Sequence, residues 1–269
     1  MSTVDTTDPL AGAASAAGTK RERAKPLSVV VAIGLIVAAW QVVAFMSSGW
    51  VPGIPAIAEA IVSLLGRSST YSDLGITLLR LLIAFVAATV LGILIGSAMG
   101  LWRPFEAFAR PLVVVGLAIP DPMYFIFAVL LLGTDQEVGM LALVLAVIPF
   151  VVHGADSGVR NRDRNLDEMS RVYKLSRRSY FVDVLGRQIA PIALASMRTS
   201  LAFSWKIVVL MEALTQPNGV GAQIYYSFRL LRPAEMIAYA LIFVVIMRAV
   251  EFIAFKPLDR RLAGWVGSR

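Results

Sequence analysis

The chain has 269 residues, 58% of them hydrophobic and only 16% charged, against roughly 45–50% apolar and about 25% charged in an ordinary soluble domain. Its net charge of +7 gathers at the two ends and in one central stretch, which is a membrane-topology signal and not the basic face of a nucleic-acid-binding domain. Cysteine is absent, which excludes disulfides, thiolate metal sites and palmitoylation together.

Residues 1–26 are small, polar and repetitive, with too little apolar surface to offset the entropy of ordering them. They read as a disordered cytoplasmic tail. The apolar run from Leu27 to Met46 matches a bilayer span and exceeds the roughly 7–15 residues of a signal-peptide core. It has no A-x-A cleavage site and reads as a retained helix. Further spans are predicted near Leu74–Leu101, Ala107–Leu132, Val138–Val152, Pro191–Leu214 and Ala234–Phe255. The expected fold is therefore an all-α polytopic membrane protein with six transmembrane helices.

Within the third span, "AIPDPMYFIF" sets Pro120 and Pro122 inside a helix, where each removes a hydrogen bond and frees a carbonyl. Broken helices at membrane depth occur where they are buried in protein or line a cavity, so a substrate-pathway position is reasonable. Asp121 between them is either a cap of the helix turn or a gate residue. Tyr124 and Phe125 either narrow the path or simply pack. The only histidine, His153, cannot form a metal cluster alone and reads as a helix-end polar group.

Next comes "NLDEMSRVYKLSRRSYFVDVLGRQIAP", Asn165 to Pro191. Met169, Val172 and Tyr173 recur at helical spacing, and so do Phe181, Val184, Leu185 and Ile189, with arginines and aspartates between them. Two short amphipathic helices are predicted. They could lie on lipid headgroups, or they could present an apolar face to the groove of a partner.

The fifth span carries Lys206 near its middle and Arg198 two turns away, about 80° around the helix. Ionisable groups at such depth cost roughly 2.5–3.5 kcal/mol and call for a partner or a pathway role. The two could form a basic lining for an anionic substrate; alternatively Lys206 pairs with an acid on a neighbouring helix and Arg198 snorkels to the headgroups. Glu212 is six residues beyond Lys206 and about 240° around, a poor partner for it. Turn residues Pro217, Asn218 and Gly219 open a long outer connection, and Arg248 and Glu251 are spaced to neutralise one another.

Counted outside the spans, eighteen Lys and Arg fall on the side of the N-terminus and only Arg67, Arg229 and Arg232 on the other. That bias puts both termini and the 165–191 stretch in the cytoplasm, and "GTDQE" at 133–137 outside.

The 165–191 stretch resembles the cytoplasmic coupling loop of permease subunits of bacterial binding-protein-dependent ABC importers. Glu168 matches the motif's glutamate; Ser176, Phe181, Val184 and Pro191 fit the nitrate, sulfonate, taurine and bicarbonate branch; and Arg198 matches a basic residue that follows. "WQ" at 40–41, "TLLRLLIAF" at 77–85, "LAIP" ending at Pro120, Trp205 with Glu212, "GVGAQI" at 219–224 and a closing "RRLAGW" agree in one order over about 230 residues. The departures are Met169 and Ser170 for two alanines, Lys174 for a glycine, and Gly186–Arg187 for leucine and proline. Lysine at that turn is strained or forces another turn.

The resemblance implies a type I ABC importer permease fold with cytoplasmic coupling helices, a permease domain over 27–269 with its coupling loop at about 160–190, and a place in the bacterial cytoplasmic (inner) membrane. It implies an ABC ATPase dimer that binds ATP and Mg²⁺ at the cytoplasmic face, with this chain holding no cofactor of its own. An extracytoplasmic substrate-binding protein and a second permease copy, most simply a homodimer, complete the set. Expected ATPase contacts are Glu168, Arg171, Val172, Lys174, Leu175 and Ser176. The expected pathway is Pro120, Asp121, Tyr124, Arg198, Trp205, Lys206 and Glu212, the last toward the outer mouth, for a small anionic solute such as a sulfonate, moved by alternating access.

The chain has no G-x-x-x-x-G-K-[ST] loop and no Gly-Lys pair, so it offers no nucleotide cradle. A self-sufficient secondary transporter is the alternative; against it stand the coupling loop and the lack of matching three-helix halves. No nucleophile, base and orienting group form a set that would make it a membrane enzyme.

Overall fold

The computed structural model describes residues 26–47 and 49–266, all of whose regular structure is helical. The tail expected at 1–26 lies outside the described residues except for Pro26. The chain divides at Gly53 into two units. In the first, α1 (Pro26–Met46) is a helix of 21 residues. It is apolar along its length. From within it, the Trp40 indole donates to the Pro52 carbonyl at 3.1 Å.

The second unit holds α2 (Ile54–Leu65), α3 (Ser68–Leu101), α4 (Arg103–Ala118), α5 (Asp121–Leu132), α6 (Gln136–Arg160), α7 (Arg164–Val172), a single turn α8 (Arg177–Ser179), a π-helical segment (Tyr180–Gly186), α9 (Arg187–Thr215), α10 (Val220–Arg229) and α11 (Pro233–Val266). Four helices are long and apolar enough to span a membrane by themselves: α3, α6, residues 192–215 of α9 and residues 233–253 of α11. α4 and α5 together pass the same test but meet at 101°.

The third predicted span is thus two helices. Pro120 and Pro122 do not kink a continuous helix; they end one and start the next. Pro120 is the N-cap of α5 and Pro122 sits in its first turn, where a missing N–H is harmless. The frame is also longer than expected elsewhere. α6 continues eight residues past Val152 to Arg160, which puts His153 inside a helix and not at its end. Helix α2 was not foreseen; its apolar residues match neither a full span nor a loop.

α3 and α6 pack closely because of their small residues. A Cβ at Gly92, Gly96 or Gly100 would run into Val151, Ala155 and Val159 respectively. Glycines four apart present backbone to the facing helix, the usual means of close approach between apolar helices. Val147, Val151 and Val152 are buried along that seam, and Leu143, Val208, Met211 and Phe243 extend the core toward α9 and α11.

Candidate functional site

Three places in the second unit carry polar chemistry: the connection between α9 and α10, the break between α4 and α5, and the 160–190 stretch.

At the first, the N-terminus of α10 is seated on acceptors from two other helices. Gly219 N–H donates to Asp73 Oδ1 at 2.9 Å, Val220 N–H to Thr77 Oγ1 at 2.8 Å and Gly221 N–H to Glu212 Oε2 at 3.0 Å. These are the N–H groups that a helix start leaves without intrahelical partners, and carboxylates suit them electrostatically. Glycine is required here. Gly219 has φ +102, and a Cβ on it would collide with the Glu212 carboxylate; one on Gly221 would strike the Val209 carbonyl.

Arg80 closes the site. Its Nη1 lies 2.8 Å from Glu212 Oε1 and 2.9 Å from the Asn218 carbonyl, and its Nη2 donates to Asn218 Oδ1 at 2.6 Å and Gln216 Oε1 at 3.1 Å. Side-chain exposure is 4% for Arg80 and 0% for Glu212, so the charges neutralise each other away from water. Glu212 therefore anchors α3, α9 and α10 to one another. Thr77 and Arg80 belong to the "TLLRLLIAF" motif at 77–85, whereas nothing in the sequence marks Asp73 as their neighbour. An arginine in the middle of an apolar span was the available signal, because it demands a counter-charge.

At the second, Pro120 has no N–H to give the Gly116 carbonyl four residues back. The Tyr124 hydroxyl donates to that carbonyl instead, at 2.8 Å. Asp121 is the first residue of α5; its charge lies at the positive end of the helix dipole.

Trp205 packs edge-on against Phe243 of α11. Lys206 and Arg198 do not meet as a pair. Arg198 reaches Glu251 on α11 at 3.5 Å, and Glu251 also binds Arg248 at 2.6 Å. Lys206 is exposed, its Nζ 5.7 Å from the ring centres of Phe203 and Trp205, and it has no carboxylate partner among the described residues.

In the 160–190 stretch, α7 starts on the Asp163 side chain, which accepts from Asn165 N–H at 2.9 Å. One face of α7 is fastened down. Buried Asp167 binds Arg162 Nε at 2.8 Å and the Tyr180 hydroxyl at 2.9 Å, and Ser170 is buried beside it. Burial, and then this bond to Asp167, raises the Tyr180 phenol above its ordinary pKa, so it remains the donor. The other face, with Glu168, Met169, Arg171, Val172 and Tyr173, is exposed.

Lys174 has φ +47. Its N–H donates to the Arg171 carbonyl at 3.1 Å and the Leu175 N–H to the Ser170 carbonyl at 3.0 Å, the paired bonds of a Schellman ending. The turn is thus the one glycine would make, formed with lysine. Ser176 caps the next turn by accepting from Ser179 N–H at 3.1 Å, and Leu175 stays exposed between the two. Behind α7 lies an open cleft of about 500 Å³ lined by Arg103, Glu106, Arg160, Arg162, Glu168 and Arg171, among others. Its floor is an ion cluster that ties α4 to α6: Arg110 and Arg160 each bind both Glu106 and Asp156, at 2.5–3.1 Å.

Comparison with known proteins gives these features a context. Residues 88–263 match the family described as the binding-protein-dependent transport system inner membrane component. The nitrate import permease protein NrtB of Synechocystis sp. is 26% identical over 90% of this chain and 96% of its own length. The taurine transport system permease protein TauC of Escherichia coli is 24% identical over 90% and 92%, and the aliphatic sulfonates transport permease protein SsuC of Bacillus subtilis is 24% identical over 87% and 86%. Among solved structures, a chain of the MetNI methionine ABC transporter in an inward-facing conformation superposes with a TM-score of 0.61 at 16% identity, over 69% of this chain and 92% of that one.

Proposed function

Because the chain belongs to the family of binding-protein-dependent transport system inner membrane components, with relatives in its nitrate, sulfonate and taurine branch, we propose that it is the pore-forming subunit of an ATP-driven importer for a small anionic solute, of which a sulfonate is the leading candidate. Two copies surround the pathway in the inner membrane, with α1 and the paired α4–α5 bringing the spans to six and both termini in the cytoplasm. A substrate-binding protein delivers the solute from outside, and a partner ATPase dimer binds ATP and Mg²⁺.

The observation that supports this most is the two-faced fastening of α7. Asp167, Arg162 and Tyr180 fix one face to the ends of the membrane helices, while Glu168, Arg171 and Val172 stand free for a partner. Lys174, Leu175 and Ser176 form the turn beside them. When the ATPase dimer closes, a push on α7 passes into α9 through the π-helical segment and into α6 through Arg162. The pathway then opens at the α4–α5 break, next to Pro120, Asp121 and Tyr124.

The experiment is purification with the candidate ATPase and transport in proteoliposomes. Uptake that requires ATP and the partner supports the reading. Uptake driven by an ion gradient without an ATPase would replace it with a secondary transporter.

A further inference from the structure

The open cleft behind α7 holds more positive charge than its own carboxylates use. Its lining carries four guanidinium groups and three carboxylates. Arg160 binds Glu106 and Arg162 binds Asp167, which leaves Arg103, Arg171 and Glu168. All three are exposed, and their side chains make no ion pair or hydrogen bond among the described residues. Arg103 is the first residue of α4 and Arg171 lies in the last turn of α7, so the two free cations come from different walls of the cleft.

The cleft also meets an exposed apolar surface. Leu101, the last residue of α3, lines it and ends a stripe along that helix. Ile83, Val90, Leu94 and Leu101 are exposed, and at about 100° per residue they fall within about 20° of one direction around the helix. Val90 to Leu101 is about 16 Å of rise, close to the roughly 15 Å that one leaflet contributes to the hydrocarbon core. Next to Leu101, Trp102 is 60% exposed and its ring stacks with Phe105 at 6.1 Å. Tryptophan collects at headgroup level, which is where the cleft opens.

We infer that this cleft holds the headgroup of an acidic phospholipid. Arg103 and Arg171 clasp its phosphodiester, for which the planar donor fork of arginine is suited, and an acyl chain follows the α3 stripe. Basic recesses beside spanning helices select such lipids. One lipid then joins α4 to α7 through an anion that neither helix supplies, and Glu168, with no cation of its own, weakens the hold. Inorganic phosphate offers the same anion without the chain. The inference goes beyond the importer reading and does not depend on it.

The test uses the full chain without an ATPase, in bilayer discs of phosphatidylcholine carrying a fixed share of brominated phosphatidylglycerol or, in parallel, brominated phosphatidylcholine. Bromine quenches tryptophan on close approach, and the signal absent from Trp102→Phe reports on position 102. Phosphatidylglycerol is expected to quench that signal about fivefold more per lipid, the factor for one uncompensated arginine near a lipid anion. Arg103→Gln should make the two lipids nearly equal, while Glu168→Gln should raise the preference by about fivefold again, a gain that misfolding does not produce. Arg178→Gln, the same charge change outside the cleft, should leave the preference as in the parent, and so should excess inorganic phosphate. Equal quenching by the two lipids, no quenching by either, as when a second copy of the chain covers the stripe, or an equal loss from Arg178→Gln would overturn the site. Loss of the preference on adding inorganic phosphate would overturn the lipid assignment in favour of a free anion.

Discussion

Arg80 and Glu212, 132 residues apart in sequence, form a buried ion pair at 2.8 Å that fixes the start of α10 to α3 and α9. Removing one partner leaves the other charge stranded. Glu212→Ala is expected to cost about 3–5 kcal/mol, and combining it with Arg80→Met should recover most of that loss, since an apolar pair of similar volume often replaces a buried ion pair without penalty. Unfolding of the purified chain by denaturing detergent checks both. A double variant no more stable than the single one would show that the pair holds more than itself.

Tyr124 and Pro120 make a similar cycle possible. Tyr124→Phe removes the hydroxyl that donates to the Gly116 carbonyl, with an expected loss of about 1–3 kcal/mol. In a Pro120→Ala background the residue at 120 regains an N–H, so the same change should cost little. Equal costs in both backgrounds would mean that Tyr124 acts through packing alone.

Lys174 and Leu231 are the two non-glycine residues with positive φ among the described residues, at +47 and +53. Both stand at the same position of a Schellman ending, Leu231 with its N–H on the Phe228 carbonyl and Arg232 N–H on the Ser227 carbonyl. Lys174→Gly and Leu231→Gly are each expected to stabilise the chain by about 1 kcal/mol, the strain an L-residue bears there, whereas Lys174→Ala should not. A thermal unfolding series separates these outcomes.

Lys206, with no carboxylate partner among the described residues, predicts a functional loss with an intact fold. Lys206→Met should leave the unfolding midpoint close to that of the parent while anion uptake falls about tenfold, a loss of roughly 1.4 kcal/mol of interaction. Unchanged uptake would reduce Lys206 to a packing role against Phe203 and Trp205.

Most of the frame was legible from the sequence because apolar runs of bilayer length mark helices directly: the runs near 74–101, 191–214 and 234–255 reappear in α3, α9 and α11. The break at Pro120 was legible as chemistry but not as an angle; two prolines flanking Asp121 predict lost hydrogen bonds, and only the packed neighbours fix 101°. The partners of charged residues were hidden. Glu251 shares its carboxylate with Arg198 and Arg248, and local spacing showed only the second. Arg80 finds Glu212 through a turn that depends on Gly219 and Gly221, a relation no single helix pattern contains. Lys174 was visible as a substitution for glycine, but whether the turn would change or the backbone would bear the strain depended on competing hydrogen bonds. The structure has the backbone bearing it.

The most direct measurement of the central proposal concerns Glu168, exposed on the free face of α7. Glu168→Lys reverses a charge at the proposed ATPase contact without touching Asp167, Arg162 or Tyr180. The prediction is a permease that inserts and unfolds like the parent, yet retains the ATPase poorly or no longer couples ATP hydrolysis to uptake, with transport per ATP lowered about tenfold or more, the scale on which a lost interfacial charge contact acts. Normal ATPase retention and normal coupled uptake by Glu168→Lys would contradict the assignment of this face as the point where the ATPase drives the pore.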